Sequence, residues 1–398
     1  MNNNENKGRG LRIVTASDIH YLAPALMENR ALFSRHVIEK DAKTVEYGDA
    51  LTDAFISETA RMRPDAVILS GDLSFNGEKE SHLRLASKLS SLTREGIAVL
   101  VTTGNHDTEN KKAASFSGAD VSPAETVTAA GFAEIYGAFG PGIAKGRDRA
   151  SLSYTYILRD TLIVMLDANS PAYPCGISGD TLSWLEGELK SARREGLRVI
   201  CVGHQNLFRH SIFDRGYVME NAARLRALLS AYGVRLFLSG HMHIQHIMSE
   251  GGITEIATSA LPVGACRYGL LTVTGDSASY AARSADVSAW AHERGEGDIN
   301  LLSFSDYARR RMDEKTASQT AKELSGKPFT DGEKETMTRF AQEANFAYFS
   351  GGMKNLAERD PQGLAGALWE RSGTFTGRYL TSVIKEAGRD HTRADIRI

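Results

Sequence analysis

Short apolar runs that stop abruptly at a polar group recur along the first two thirds of the chain. Residues 11–14 lead to Asp18 and His20, and residues 66–69 lead to Gly71 and Asp72. Residues 97–101 lead to Gly104-Asn105-His106-Asp107, residues 199–202 to Gly203-His204, and residues 236–238 to Gly240-His241-Met242-His243. Uninterrupted β-branched and aliphatic runs of this length read as strands buried on both faces. Between them the apolar spacing turns helical. Leu51, Ala54, Phe55 and Met62 recur within residues 49–63 and stop at Pro64; Leu85, Leu89 and Leu92 recur within 81–94, closed by Gly96. Leu182, Leu185 and Leu189 mark a helix over 180–194, and another spans 221–232. Strand–helix alternation predicts an α/β layer fold, whose ligands bind beyond the carboxyl ends of the strands. That is where every polar stop falls.

Residues 151–158 and 161–166 flank the turn-like Arg159-Asp160 and predict an antiparallel hairpin that begins a second sheet. Residues 253–258, 268–273 and 279–282 read as three further strands with no helix between them. Strands packed on strands with helices outside make a four-layer αββα sandwich. Residues 21–42 have no clear period and read as an active-site loop with a helical entry; residues 111–148 read as a surface excursion with one short helix near 132–139. At Gly295-Glu296-Gly297-Asp298 the character changes to a linker. Beyond it, residues 301–324, 331–347 and 364–387 show helical spacing and no strand-like run. The expected organisation is a disordered tail over 1–10, a catalytic domain over 11–290 and a helical C-terminal domain over 298–398.

Composition narrows the field rather than choosing within it. A length of 398 residues suggests about two domains, and 42% hydrophobic with 24% charged residues is ordinary for a globular protein. A formal net charge of -2 gives no global attraction to nucleic acid or to a membrane surface. No apolar run is long enough for a membrane span. Three cysteines, Cys175, Cys201 and Cys266, match neither a disulfide framework nor a zinc knuckle. Absence of an apolar signal region favours a cytoplasmic location; an exported or surface-anchored one is the alternative if a leader has been removed.

The polar stops supply the chemistry. Asp18, His20, Asp72, Asn105, His204, His241 and His243 are oxygen and imidazole donors of the class that suits Mn, Fe or Zn rather than Ca. No thiolate belongs to any of the five motifs, which argues against a structural zinc site. Seven donors exceed the needs of one ion with an open position. Two divalent ions sharing Asp72 use them naturally.

In order and spacing, Asp-x-His, Gly-Asp, Gly-Asn-His-Asp, Gly-His and Gly-His-x-His resemble the calcineurin-like metallophosphoesterase family over residues 11–282. The resemblance implies the αββα sandwich and a division of ligands. Asp18, His20, Asp72 and His243 would hold one ion, and Asp72, Asn105, His204 and His241 the other. His106 corresponds to the family's histidine that protonates the leaving group, with Asp107 orienting its ring. The implied reaction is in-line attack on phosphorus by a metal-bridging hydroxide. A metallophosphoesterase core followed by a helical region looks like bacterial phosphodiesterases that accept cyclic nucleotides. The expectation is therefore a metal-dependent phosphodiesterase acting on a small phosphodiester such as a cyclic nucleotide. A phosphomonoesterase or protein phosphatase is the alternative, and a metal-free binding scaffold is the alternative of another class. No stable nucleic-acid partner is expected, and oligomeric state is left open.

Other residues receive blander readings. His36, His82, His292 and His391 read as solvated or packed, while His210 and His246 lie close enough to ligand motifs to line a pocket. Arg209 and Arg267 read as surface arginines, and Arg309-Arg310-Arg311 as a solvated helix face. Tyr21 reads as an exposed structural tyrosine. Ser74 and Asn76 either contact substrate or stabilise their turn.

Overall fold

The computed structural model describes residues 10–170, 173–212 and 215–398. Apart from Gly10, the expected tail lies outside the described residues. Strands β1 (Leu11–Ala16), β2 (Ala66–Ser70) and β3 (Ala98–Thr102) pair in parallel. A second series comprises β4 (Gly146–Arg147), β5 (Tyr154–Leu158), β6 (Thr161–Met165), β7 (Arg198–Val202), β8 (Leu236–Ser239), β9 (His246–Glu250) and β10 (Ile253–Ala257). Strands β11 (Arg267–Thr274), β12 (Ser277–Ser284) and β13 (Arg393–Arg397) then return to the first sheet. The two sheets run β13-β12-β11-β1-β2-β3 and β9-β10-β8-β7-β6-β5-β4.

Alternation along each strand explains the layers. In β1, Ile13 faces the second sheet and joins Ile68, Leu100, Ile163, Ile200, Leu238 and Ile256 in the inter-sheet core. Its neighbour Val14 faces outward, with Val67, Val99 and Val101, against helices α1 (Gly48–Met62) and α2 (Lys79–Arg94). On the far side α3 (Gly179–Glu195) and α4 (Ala222–Ala231) cover Leu162, Val164, Cys201 and Phe237. This is the four-layer αββα sandwich expected. Its strands are apolar on both faces because both faces are covered.

The helical region comprises α5 (Val287–Arg294), α6 (Phe304–Leu324), α7 (Asp331–Ser350), α8 (Leu364–Ser372) and α9 (Phe375–Ile384), besides shorter turns. Helix α5 packs on the sandwich through Trp290, whereas α6 to α9 enclose their own core around Met337, Phe340, Trp369 and Leu380. That core also takes in Met242 and Ile244, on either side of His243. The expectation of no strand beyond residue 298 needs correction: Arg393–Arg397 pairs antiparallel with β12. The segment is an edge strand with three charged side chains in five residues, so its apolar period reduces to Ala394 and Ile396. β9 likewise escaped the pattern, since its outer residues are polar and exposed. Among the described residues, no helix is long and apolar enough to cross a membrane.

Candidate metal centre

Each expected donor stands just beyond a strand, where the chain turns sharply. Of nine non-glycine residues with positive φ among the described residues, five are donors: Asp18 (51°), His20 (45°), Asp72 (49°), His241 (70°) and His243 (59°). Such conformations are costly for side-chain-bearing residues and cluster at functional sites. The turns are held by bonds between motifs. Asp18 N–H donates to Gly71 O and His20 N–H to Asp72 O, both at 3.0 Å. His241 N–H donates to Asp18 Oδ2 (2.9 Å) and His106 N–H to Asp72 Oδ1 (2.8 Å). At Gly240 a Cβ would fall 1.7 Å from Ser17 Oγ and 2.4 Å from Asp18 Oδ2, so two strand ends meet there without room for a side chain.

The donors converge in two groups that share Asp72: Asp18, His20, Asp72 and His243 in one, and Asp72, His204 and His241 in the other. In the first, His243 Nε2 lies 3.2 Å from Asp18 Oδ1 and 3.0 Å from His20 Nε2. In the second, His204 Nε2 lies 3.3 Å from Asp72 Oδ2, 3.2 Å from Asn105 Oδ1 and 3.2 Å from His241 Nδ1. All seven expected donors are thus brought together around Asp72.

Tautomers test whether metal ions fit. His204 Nδ1–H donates to Ser70 O and His241 Nε2–H to Gly216 O, each at 2.8 Å. With those protons committed, His204 Nε2 and His241 Nδ1 face each other as lone pairs unless a positive charge lies between them. Backbone-oriented imidazoles of this kind are what metal-binding histidines show. In the other group Asp18 Oδ1 is buried and accepts no well-formed hydrogen bond, facing only the Nε2 atoms of His243 (3.2 Å) and His20 (3.9 Å) among the described residues. The electrostatics agree. Burial would raise the carboxyls of Asp18 and Asp72, yet the neighbouring imidazoles, His204 foremost, together outweigh it and hold both far below the ordinary range. Burial would lower His204, but Asp72 and Asp18 push it up to about 9. Burial, with His204 beside it, takes His241 down to about 4. Two carboxylates among four imidazoles call for cations, and the donor set fits two divalent ions.

His106 sits at the rim with its Nε2 3.9 Å from Asp72 Oδ2. Its Nδ1–H donates to Phe75 O (2.8 Å) and lies 3.0 Å from Asn76 Oδ1. Asp107 does not orient this ring. Its Oδ1 accepts from Ser74 N–H (2.9 Å) and Oγ–H (3.1 Å), and its Oδ2 from Gly104 N–H (2.7 Å). The carboxylate is turned inward to tie the Asp72 loop to the Gly104 turn, which leaves the imidazole to Phe75 and Asn76. Ser74 accordingly stabilises its turn.

The residues read more blandly also find definite places, some of them not the ones expected. Tyr21 is fully buried, with its hydroxyl against Asp49 and Arg84. His82 is packed between Tyr136 Oη (3.0 Å) and Asp107 O (2.9 Å). His210 and His246 are buried and linked, Nδ1 to Nδ1 at 3.0 Å, with His210 Nε2 2.9 Å from Glu255. His391 stacks on His246 at 3.8 Å. A third donor group, His246, Glu386 and His391, suits an ion poorly. His391 Nδ1 accepts the Ile247 N–H (3.1 Å), so the neutral ring carries its proton on Nε2, the atom an ion would need. Arg267 donates to Ser350 O rather than lining the donor cluster, and Arg309 pairs with Asp313 and Glu343.

The sequence comparisons agree with this geometry. Residues 11–245 match the family model described as calcineurin-like phosphoesterase, and the chain belongs to that family of metal-dependent phosphoester hydrolases. Residues 286–390 match a second model, the C-terminal domain of cyclic nucleotide phosphodiesterase. Among curated relatives, tartrate-resistant acid phosphatase type 5 of Rattus norvegicus is 32% identical over 28% of this chain and 36% of its own length. A probable cyclic nucleotide phosphodiesterase of Rhodococcus erythropolis is 25% identical over 50% of this chain and 58% of its own length. A cAMP/cGMP dual specificity phosphodiesterase of Mycobacterium tuberculosis is 24% identical over 50% and 55% respectively. The chain therefore spans between about a third and just over half the length of these relatives. A dimetal phosphatase from Danio rerio shares the fold, with a TM-score of 0.52 at 14% identity over 70% of this chain and 97% of that one.

Proposed function

We propose that the chain is a phosphodiesterase acting on a small phosphodiester of the cyclic-nucleotide class. The observation that carries the hydrolytic part is Asp72, whose one carboxylate belongs to both donor groups. Asp18, His20, Asp72 and His243 would hold one divalent ion, and Asp72, Asn105, His204 and His241 the other. Two ions so held would supply an acidified water and would neutralise charge on the phosphoryl oxygens. The chain's own residues do the rest. With Nδ1–H fixed on Phe75, the neutral His106 ring offers a lone pair at Nε2, and the imidazolium offers a proton there. That proton goes to the departing oxygen, an effect typically worth about 10²–10⁴-fold. Asn76 and Phe75 orient the ring; Asp107 positions both loops from below.

Support for a cyclic nucleotide comes from the helical region. A cavity between the sandwich and helices α6, α7 and α9 is lined by Tyr217, Met242, Tyr348 and Phe349, with Gln319 and Asn345 among its polar edges. The Tyr217 ring stands 5.1 Å from that of His241, which joins this cavity to the donor cluster. Aromatic walls with a few amide groups suit a flat heteroaromatic base. The matches to cyclic-nucleotide phosphodiesterases point the same way. The acid phosphatase relatives favour a second reading, phosphomonoester hydrolysis.

A panel of cyclic nucleotides, nucleoside monophosphates, and bis- and mono-nitrophenyl phosphate, assayed on the intact chain with Mn added, separates the two. Diester turnover should exceed monoester turnover, with a cyclic nucleotide among the best substrates. Activity confined to monoesters would refute the proposal.

A further inference from the structure

Between the π-turn Ser34–Ile38 and helix α1 runs a loop that carries Asp41 and Lys43. Two anchors fix it. On the sandwich side, Thr44 donates to Pro262 O from its N–H (2.8 Å) and its hydroxyl (3.2 Å). The adjacent Leu261 N–H is bonded to Ser17 O, one residue before Asp18. Ser259 Oγ–H, in the same segment, donates to His243 O (2.9 Å). From the other side α6 reaches in: Arg311 donates from Nη2 to Asp41 O (2.9 Å) and to Ile38 O. Its side chain is 14% exposed, so the expected solvated face is in fact a contact between the helical region and this loop.

Lys43 lies at the tip, 12% exposed, with Nζ 2.6 Å from Asp41 Oδ2 and its N–H on Asp41 Oδ1 (3.1 Å). Asp41 takes one of three ammonium protons. Through Thr44 and the segment 259–262 the loop that carries this pair is tied to the turns that hold Asp18 and His243. Burial would raise the Asp41 carboxyl, yet the Lys43 charge outweighs it and lowers it. A lysine kept from solvent beside metal donors, with protons to spare, is a point-charge partner for a phosphoryl oxygen.

We propose that Lys43 is a phosphate-binding residue, aimed by Asp41 and held by Arg311 through the carbonyls of Ile38 and Asp41. Its ammonium meets a non-bridging oxygen of the phosphoryl group beside His20 and His243. Arg311 is a positioning residue, and through it the helical region shapes the phosphate subsite. This rests on the phosphohydrolase reading above.

Inorganic phosphate is the probe, titrated calorimetrically into the intact Mn-loaded chain, with KM and kcat on bis-nitrophenyl phosphate in parallel. Lys43→Met should weaken phosphate binding and raise KM by about tenfold, the value of one charge-assisted hydrogen bond, with metal content unchanged. Arg311→Met should weaken phosphate several-fold in the native background and not at all in Lys43→Met, since its effect passes through Lys43. A general loosening would lower affinity in both backgrounds and would overturn the positioning role. Undiminished phosphate affinity in Lys43→Met overturns the proposal. If Lys43→Met loses its metals, Lys43→Arg decides: affinity near the native value supports the reading, and a tenfold loss counts against it. Lys43-dependent phosphate binding without turnover of any phosphoester would sink the enzymatic reading alone.

Discussion

Gly104 offers the sharpest test of the shared carboxylate. A Cβ built there falls 2.1 Å from Asp72 Oδ1 and 2.2 Å from Asp72 N, whereas real Cβ contacts essentially never fall under 3.0 Å. Alanine must therefore push the loop and the carboxylate apart by about 1 Å. Asp72 cannot simply swing aside. Its Oδ1 holds His106 N–H at 2.8 Å, and its backbone is already at φ 49°. Overpacking at such a site costs about 1–3 kcal/mol, and losing a hydrogen bond to a charged group about 1.5–3 kcal/mol more. The combined loss, about 2.5–6 kcal/mol, is a large part of a typical domain's stability. Because Asp72 serves both donor groups, Gly104→Ala should lose both ions and at least about 10²-fold in activity, as misplacement by 1 Å implies. Gly187, inside α3 with nothing within 4 Å of its Cβ position, is the control. Gly187→Ala should gain about 0.5–1 kcal/mol and keep its metal. Thermal melts, metal analysis by mass spectrometry and turnover of bis-nitrophenyl phosphate read all three. Two bound ions and native turnover in Gly104→Ala would show that Asp72 does not join the groups.

Three further outcomes are expected. His106→Ala should keep both metals yet lose far more activity on esters of poor leaving groups than on nitrophenyl esters; equal losses would exclude the acid role. His391, lowered to about 4 chiefly by burial, must be neutral in the fold, so its contribution is full above pH 6.5 and disappears as pH falls toward 4. His391→Asn should flatten that acid limb, on the order of 2–3 kcal/mol in denaturant titrations, and an unaltered limb would contradict the assignment. Chelation should lower the melting temperature of the native chain, and added Mn should restore it in proportion to the logarithm of its concentration. A melting temperature indifferent to chelator would argue that no ion binds the folded state.

The strand ends were legible because metal chemistry restricts side-chain type: imidazole and carboxylate directly after a buried strand have few other uses. The layers were legible because apolar runs covered on both faces, such as residues 66–69 and 199–202, leave little choice of fold. Contacts set by distant segments were not legible. Nothing near Arg311 in sequence announces the carbonyls of Ile38 and Asp41, and Lys43 sits in a stretch without period. The family resemblance gave the orienting of His106 to Asp107, a partnership that the turn geometry gives to Asn76 and Phe75 instead. Tyr21 looked exposed because Asp49 and Arg84, which satisfy its hydroxyl, arrive from two separate helices.

The closing strand makes the helical region an insertion rather than an appendage. It leaves the first sheet after β12 and comes home beside it, with Ala278 opposite Ile396 and Tyr280 opposite Ala394. Cutting the chain near Gly295 and discarding the C-terminal piece would strip a strand from that sheet and bare a sticky edge. A nick at the same place would do far less, because both fragments stay laced together by backbone pairing.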